Sequence, residues 1–394
     1  MANVHVETVR ITPDNSTVLA KLGLLAELAG TWEGQGFNLI ARPDFHDKAN
    51  LYLQLNQTRE VLKVDPIGSA IPNRGFGQDD IELYGLNYLQ KISDLFTGGA
   101  LHIEPGLWIT QPSTDYPPET APAGAQIVAR MGSIPHGNAL LAQGVAARFE
   151  GPPTLKNGNA PYAFSTFPSF NSTPFPAAVP PASPIFNAAG SSEKATAIAG
   201  GVGPGFTQYD LSVAPSAANP RTPFDTNPAD PALPNAINGV AMQDVVNDPI
   251  TLLQQVVNQQ VGEGCAFQGV TLNIATQKSL SFFSSPNSKP GATTSAVNVT
   301  DGAGGIENIL FLEGGEPTGA KGSNAQTAIV YATFWIERVI PKTRDPFMQL
   351  QYAQMVVLNF PIFTVLNPTP PTPSKLVSLG WPHVSVATLR KSFN

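Results

Sequence analysis

The sequence predicts an all-β fold, an antiparallel barrel of about ten strands with a short N-terminal helix, one further helix and a long proline-rich insertion. Three observations lead there. Apolar and polar residues alternate through many short segments, as in Leu51-Tyr52-Leu53-Gln54-Leu55-Asn56, where the leucines share one face. Gly, Pro, Asn or Asp bounds each segment at hairpin-like spacing. The last such segment reads as a closing partner of the first, which would leave the sheet without free edges.

Taken in order, residues 15–29 open with Asn15-Ser16-Thr17 and carry Leu19, Leu22, Leu24, Leu25 and Leu28 at near-helical spacing before Gly30. This is a short amphipathic helix that plugs the strands after it or packs on them. Strand-like segments then run over 34–41, 49–64, 81–93, 100–110, 126–133 and 139–149. From Gly151 to about Val240, Pro, Ala, Ser, Asn and Gly dominate and no period persists. Nine aromatic residues (Tyr162, Phe164, Phe167, Phe170, Phe175, Phe186, Phe206, Tyr209 and Phe224) are many for a linker. The stretch is read as an insertion that wraps the barrel and docks through these rings, with a disordered linker as the alternative. A clear helix comes next, over 248–261. Asp248 caps it, Pro249 enters the first turn, and Ile250, Leu253, Val257 and Val261 form a stripe that Leu252 and Val256 widen. Strands resume over 267–283, 308–313, 325–340, 347–358 and 383–390. The chain is thus read as one interrupted barrel: first strands in 15–150, a wrapping insertion in 151–247, then a helix and closing strands in 248–394. A split into two domains at the insertion is the rival.

Composition narrows the function classes. Hydrophobic residues make up 42% and charged residues 13%, with a net charge of −7 and no Lys/Arg block. Nucleic acid binding, which needs a basic footprint, is not expected, nor is a polybasic membrane patch. The one cysteine, Cys265, rules out an internal disulfide framework and reads as a small buried hydrophobe in a reducing compartment. Residues 1–14 lack the charged start and apolar run of a signal peptide, and the apolar stretches 328–336 and 355–365 are too short for a membrane-spanning helix. A cytoplasmic protein without membrane insertion is expected. Low charge and long apolar segments point to a homodimer.

Five histidines are the main chemical resource. His5 lies in the terminal arm and His46 in a charged turn. His102 shares a strand face with Glu104, Gly106 and Trp108, because side chains alternate. Glu104 could orient the imidazole for proton transfer or ligation, and a hydrogen-bonded structural pair is the plainer reading. His136, in Ile134-Pro135-His136-Gly137-Asn138, reads as a turn residue or a group on a pocket rim. His383 opens the last strand, where an imidazole could be packed or could hold iron. No Cys/His cluster suits zinc. Phosphate loops and nucleophile elbows are absent, and the glycines at 200–205 do not stand between a strand and a helix.

The segment Gly30-Thr31-Trp32-Glu33-Gly34-Gln35-Gly36-Phe37-Asn38 resembles the Gly-x-Trp signature of calycins, the lipocalin-like barrels. It is closest to the Gly-Thr-Trp-x-Gly-x-Gly opening of nitrobindin-like haem-binding barrels. Leu101-His102-Ile103-Glu104-Pro105-Gly106-Leu107-Trp108 looks like the His-x-Glu-x-Gly strand of that group, and residues 129–137 are similar to its next strand. The likeness covers 20–150 and 380–391; those domains are much shorter and lack the insertion. It implies that Arg390 stacks over Trp32, with Gly30, Gly34 and Gly36 completing the structural signature. His383 would then ligate the iron of haem b, and Trp108 and His136 would line the ligand site. Such a protein binds nitric oxide or other diatomics, or handles peroxide-like oxidants. Two alternatives use the same container. One is an iron-free carrier of a lipid, terpenoid or aromatic metabolite. The other is a cofactor-independent isomerase, hydratase or cyclase working through His102 and Glu104, which needs both side chains inside with perturbed pKa values.

Overall fold

The computed structural model describes residues 15–44, 49–75, 78–116, 118–134, 138–153, 155, 211, 233–276, 326–327, 329–363 and 376–392. Within them, ten long strands form a meander: β1 (Gly30–Asp44), β2 (Ala49–Pro66), β3 (Gln78–Asp94), β4 (Ala100–Gln111), β5 (Ala125–Ile134), β6 (Asn138–Glu150), β7 (Ala266–Ala275), β8 (Ile329–Ile340), β9 (Phe347–Phe363) and β10 (Leu376–Ser392). Each pairs antiparallel with the strand before it, and β10 pairs with β1 from Thr31↔Ser392 to Ile40↔His383. The sheet therefore closes on itself, as the alternating pattern and the predicted pairing of first and last strands required. The all-β class and the closed antiparallel barrel both hold.

The differences are local. β10 extends well before residue 383, and its early residues pair with β9 alone. The expected strand 308–313, the end of 267–283 and most of the insertion lie outside the described residues.

One end of the barrel is stopped by the N-terminal segment. α1 (Asn15–Leu22) tightens into a 3₁₀ turn over Gly23–Leu28, and the switch falls at Gly23, whose φ is +58°. Leu22, Leu25 and Leu28 are fully buried there. The Gln126 side chain of β5 fastens the junction, donating from Nε2 to the Leu22 carbonyl (3.0 Å) and accepting the Leu24 N–H at Oε1 (2.8 Å). Trp32 completes the plug. It is wholly buried, and its Nε1 donates to the Leu28 carbonyl at 2.8 Å.

The expected Arg390 contact is not made. Lys391 is the register partner of Trp32, and its Nζ lies 5.2 Å from the ring. Arg390 pairs with Glu33 on the outer face and stacks on Phe347 at 3.3 Å. A shift of one residue exchanges the two faces of a strand, so a basic residue one place further on takes the inner position. The glycines of the opening motif have a steric role. A Cβ on Gly34 or Gly36 would run into the β10 backbone, and one on Gly36 would also crowd the Glu60 carboxylate.

α2 (Met242–Asn247) packs against α3 (Ile250–Gly262), which lies against the outside of β9 and β10. Asp248 caps α3 as predicted, accepting the Ile250 N–H at 3.2 Å. Ile250, Leu252, Leu253 and Val257 face the barrel, whereas Val261, expected on the same stripe, is exposed. A polar clasp crosses this interface. Gln260 and Gln349 exchange hydrogen bonds, Gln349 Nε2 donates to Glu337 Oε2 at 2.7 Å, and Gln351 Nε2 donates to the Leu253 carbonyl at 3.2 Å. Burial pushes the Glu337 carboxyl up to about 8 against the opposing effects of Gln349 and Arg390. A carboxyl raised above its unfolded value contributes stability that is complete below about pH 4 and lost as pH rises through about 8. Between pH 5 and 9 the melting temperature is expected to fall, and Glu337→Gln should flatten that decline. An unchanged pH profile in the variant would refute the clasp's titration.

Candidate functional site

Because ladder partners share a face, the register assigns the interior. The inner row runs through Asn38, Gly36 and Trp32 on β1, Thr58, Glu60 and Leu62 on β2, and Tyr88, Gln90 and Ile92 on β3. It continues through His102, Glu104 and Trp108 on β4, then Arg130 and Ile134 on β5, Leu140 and Ala142 on β6, and Ile274 on β7. Phe334 on β8, Tyr352 and Gln354 on β9, and His383, Ser385 and Ala387 on β10 complete it.

The middle of this interior is filled by one cluster built around Arg130, which is 1% exposed. Its guanidinium lies 5.1 Å from the ring centre of Tyr88, 5.6 Å from Trp108 and 5.3 Å from Phe334. Trp108 meets Phe334 edge-on at 5.3 Å, and Phe334 stacks on Tyr352 at the same spacing. The donors of Arg130 are spent in several directions. Nε reaches the Tyr88 hydroxyl (3.0 Å), Nη1 reaches Gln354 Oε1 (2.5 Å), and Nη2 reaches Glu104 Oε1 (2.7 Å) and Gln90 Oε1 (3.4 Å). Tyr88 also donates to Glu104 Oε1, and His102 Nε2 lies 3.3 Å from Glu104 Oε2. Gly106 and Gly132 make this possible, since a Cβ at either would occupy the space of Tyr88.

A second carboxyl group adjoins the first. Glu60, fully buried, accepts from Tyr352 (2.5 Å), Thr58 (3.1 Å) and Gln90 Nε2 (3.3 Å). Gln90 thus bridges the two carboxyl centres, its amide nitrogen on Glu60 and its oxygen on Arg130.

The two carboxyls have opposite protonation tendencies. Burial would raise Glu104, but the Arg130 charge, with His102 and Tyr88, brings it down to about 2. For Glu60 burial prevails over the hydrogen bonds from Tyr352, Thr58 and Gln90, and its pKa is raised. The cluster therefore holds one ion pair, Arg130–Glu104, beside a carboxyl inclined to be neutral. Burial also raises both tyrosines, Tyr88 and Tyr352, which stay protonated as donors.

Of the residues singled out in the sequence, His102, Glu104 and Trp108 do meet in this cluster. Trp108, four residues nearer the plug than Glu104, packs against Arg130 and belongs to the filled centre rather than to the far-end wall. His383 lies on the inner face two residues beyond Ser385, away from the plug, with Ile40 and Val356 as its ladder partners. His136, like His5 and His46, falls outside the described residues.

Arg130, Glu60, Gln90, Tyr88, Tyr352 and Gln354 were not anticipated. Arg130 did leave a trace, since in Val128-Ala129-Arg130-Met131-Gly132-Ser133-Ile134 it shares its parity with Val128 and Ile134. Nothing in the sequence alone says which parity faces inward.

Among the described residues, no group of three or more His, Cys, Asp or Glu side chains could hold a metal ion, and no helix is long and apolar enough to cross a membrane. No protein-family model, curated protein or solved structure matches the chain.

Removing one member of a buried pair strands the other. Arg130→Met is expected to cost about 3–5 kcal/mol by leaving Glu104 buried and unpaired, with part of the loss recovered in Arg130→Met/Glu104→Leu. Thermal denaturation of the three proteins measures this, and a single variant as stable as the parent would contradict the arrangement.

Proposed function

We propose that the barrel binds an apolar small molecule in the half opposite the plug, and that haem b held through its iron by His383 is the first occupant to consider. The position of His383 carries this reading. Its side chain is partly exposed on the inner wall, beyond the Arg130 cluster and between Ile40 and Val356. A neutral imidazole among apolar neighbours is a donor that haem iron accepts. Ile134, Leu140, Ile274 and Val356 supply apolar wall on the same side of the cluster, and all four are buried. Asn38 Oδ1, on the inner face of β1, is buried without a hydrogen-bond partner. Such an atom is satisfied by a water or a bound molecule. The donor type of His383 and the apolar lining beside it support haem as the occupant.

When bound, haem would supply diatomic-gas chemistry, nitric oxide included, or reactivity toward peroxide-like oxidants. The chain's contribution is positional. His383 would fix the iron, the apolar wall would exclude water, and the Arg130 cluster would close the site on the plug side. His102, anchored by Glu104, would stand as a polar group near the bound molecule.

The iron-free carrier uses the same wall and needs no role for His383. Acid–base catalysis through Glu104 is disfavoured, because a carboxylate held at about 2 by Arg130 is a counter-ion and a poor proton acceptor near neutral pH.

Absorption titration with haem tests the reading. A saturable Soret band that shifts or disappears in His383→Ala is expected. A band indifferent to that substitution would remove iron ligation from His383, and the absence of any band would leave the apolar carrier.

A further inference from the structure

Outside the barrel, α3 does not lie flush on the wall it covers. Between them runs a crevice of about 300 Å³, bounded by Leu252, Leu253 and Val256 of the helix and by Val386, Thr388 and Arg390 of β10. Those three β10 residues alternate with the inner row, so they share the outer face and span about 13 Å at the usual strand rise. Two helix leucines and one valine line one side. Gln35 of β1 adds an amide, and Gln349 of β9 lies at the Arg390 end.

Arg390 is the unusual member. Its guanidinium is pinned flat on Phe347 at 3.3 Å, which fixes its position. Glu33 stands opposite it in register, yet among the described residues no carboxylate forms an ion pair with Arg390. Glu263 is paired with Arg344 instead, at 3.2 Å. Glu337 is buried beneath the helix and hydrogen-bonded to Gln349. Burial and the neighbouring Arg344 oppose the charge on Arg390 and outweigh the support it receives from Cys265, Glu263 and Glu337, so an added anion would favour the charged form. A cation held in place by stacking at one end of an apolar slot has the layout of a site for a molecule with an anionic head and an apolar tail.

We infer that the crevice between α3 and β10 binds a carboxylate amphiphile, its head on Arg390 and its tail along Leu252, Leu253, Val256 and Val386. The site is separate from the barrel interior, on the opposite face of the same strand as His383. It does not depend on what the interior holds.

Calorimetric titration with decanoate tests this on the full chain, with 1-decanol as the uncharged control. Decanoate should bind one per chain and more tightly than decanol. Arg390→Gln should weaken decanoate about tenfold, as expected for losing a charge-assisted hydrogen bond. Val256→Trp, which keeps Arg390 but fills the slot, should abolish binding, and His383→Ala should leave it unchanged. The proposal is overturned if decanoate does not bind, if it binds equally to both crevice variants and the parent, or if His383→Ala rather than Arg390→Gln removes it.

Discussion

The ion pair between Arg130 and Glu104 is the constraint on which the rest of this barrel depends. A closed sheet of ten strands leaves a space that side chains must fill or a ligand must occupy. Here a guanidinium enclosed by Tyr88, Trp108 and Phe334 fills the middle. An ionised arginine in that position requires an ionised partner, and Glu104 serves. The carboxylate in turn draws in Tyr88 and His102, while Gln90 carries the network on to Glu60 and Tyr352. Small residues at Gly36, Gly106 and Gly132 answer the same demand, because the polar groups need the volume that a Cβ would take. A buried pair of this kind adds little net stability, yet it is costly to break and so specifies one arrangement of strands.

That cluster gives the barrel two unlike halves. Toward α1 the interior is closed by Trp32, Leu25 and Leu28, all fully buried. Beyond it, His383 keeps partial exposure among apolar neighbours. The two faces of β10 then serve different ends. Its inner face carries His383, Ser385 and Ala387, while its outer face carries Thr388 and Arg390 under α3. This division of labour comes directly from the two-residue period of a strand.

The same period explains what the sequence could and could not disclose. Alternation in Leu51–Asn56 and turn residues at each boundary were enough for the barrel, and Leu22, Leu25 and Leu28 were enough for the plug. Asp248 and the Ile250, Leu253 and Val257 stripe located the second helix. Facing was the hidden variable. The pairing of a basic residue with Trp32 was anticipated in kind but placed one residue early, at Arg390 instead of Lys391, which is a change of face. Likewise His102 and Glu104 were recognisable as neighbours on one strand. Their partner Arg130 comes from β5 and Gln354 from β9, and long-range partners across a barrel leave no local pattern. Glu337 and Gln349 were silent for the same reason, since nothing near them in sequence announces the helix that buries them.

The central claim is that the Arg130 cluster separates a sealed half of the interior from an accessible one. Thiol labelling tests it most directly. In a Cys265→Ala background, a cysteine would replace either His383, beyond the cluster, or Leu62, the ladder partner of both Trp32 and Gln90 on the plug side. Labelling of the folded proteins by a maleimide should be fast for His383→Cys and no faster than global unfolding for Leu62→Cys. Equal rates at the two positions, whether both fast or both protected, would contradict the division of the barrel into two halves.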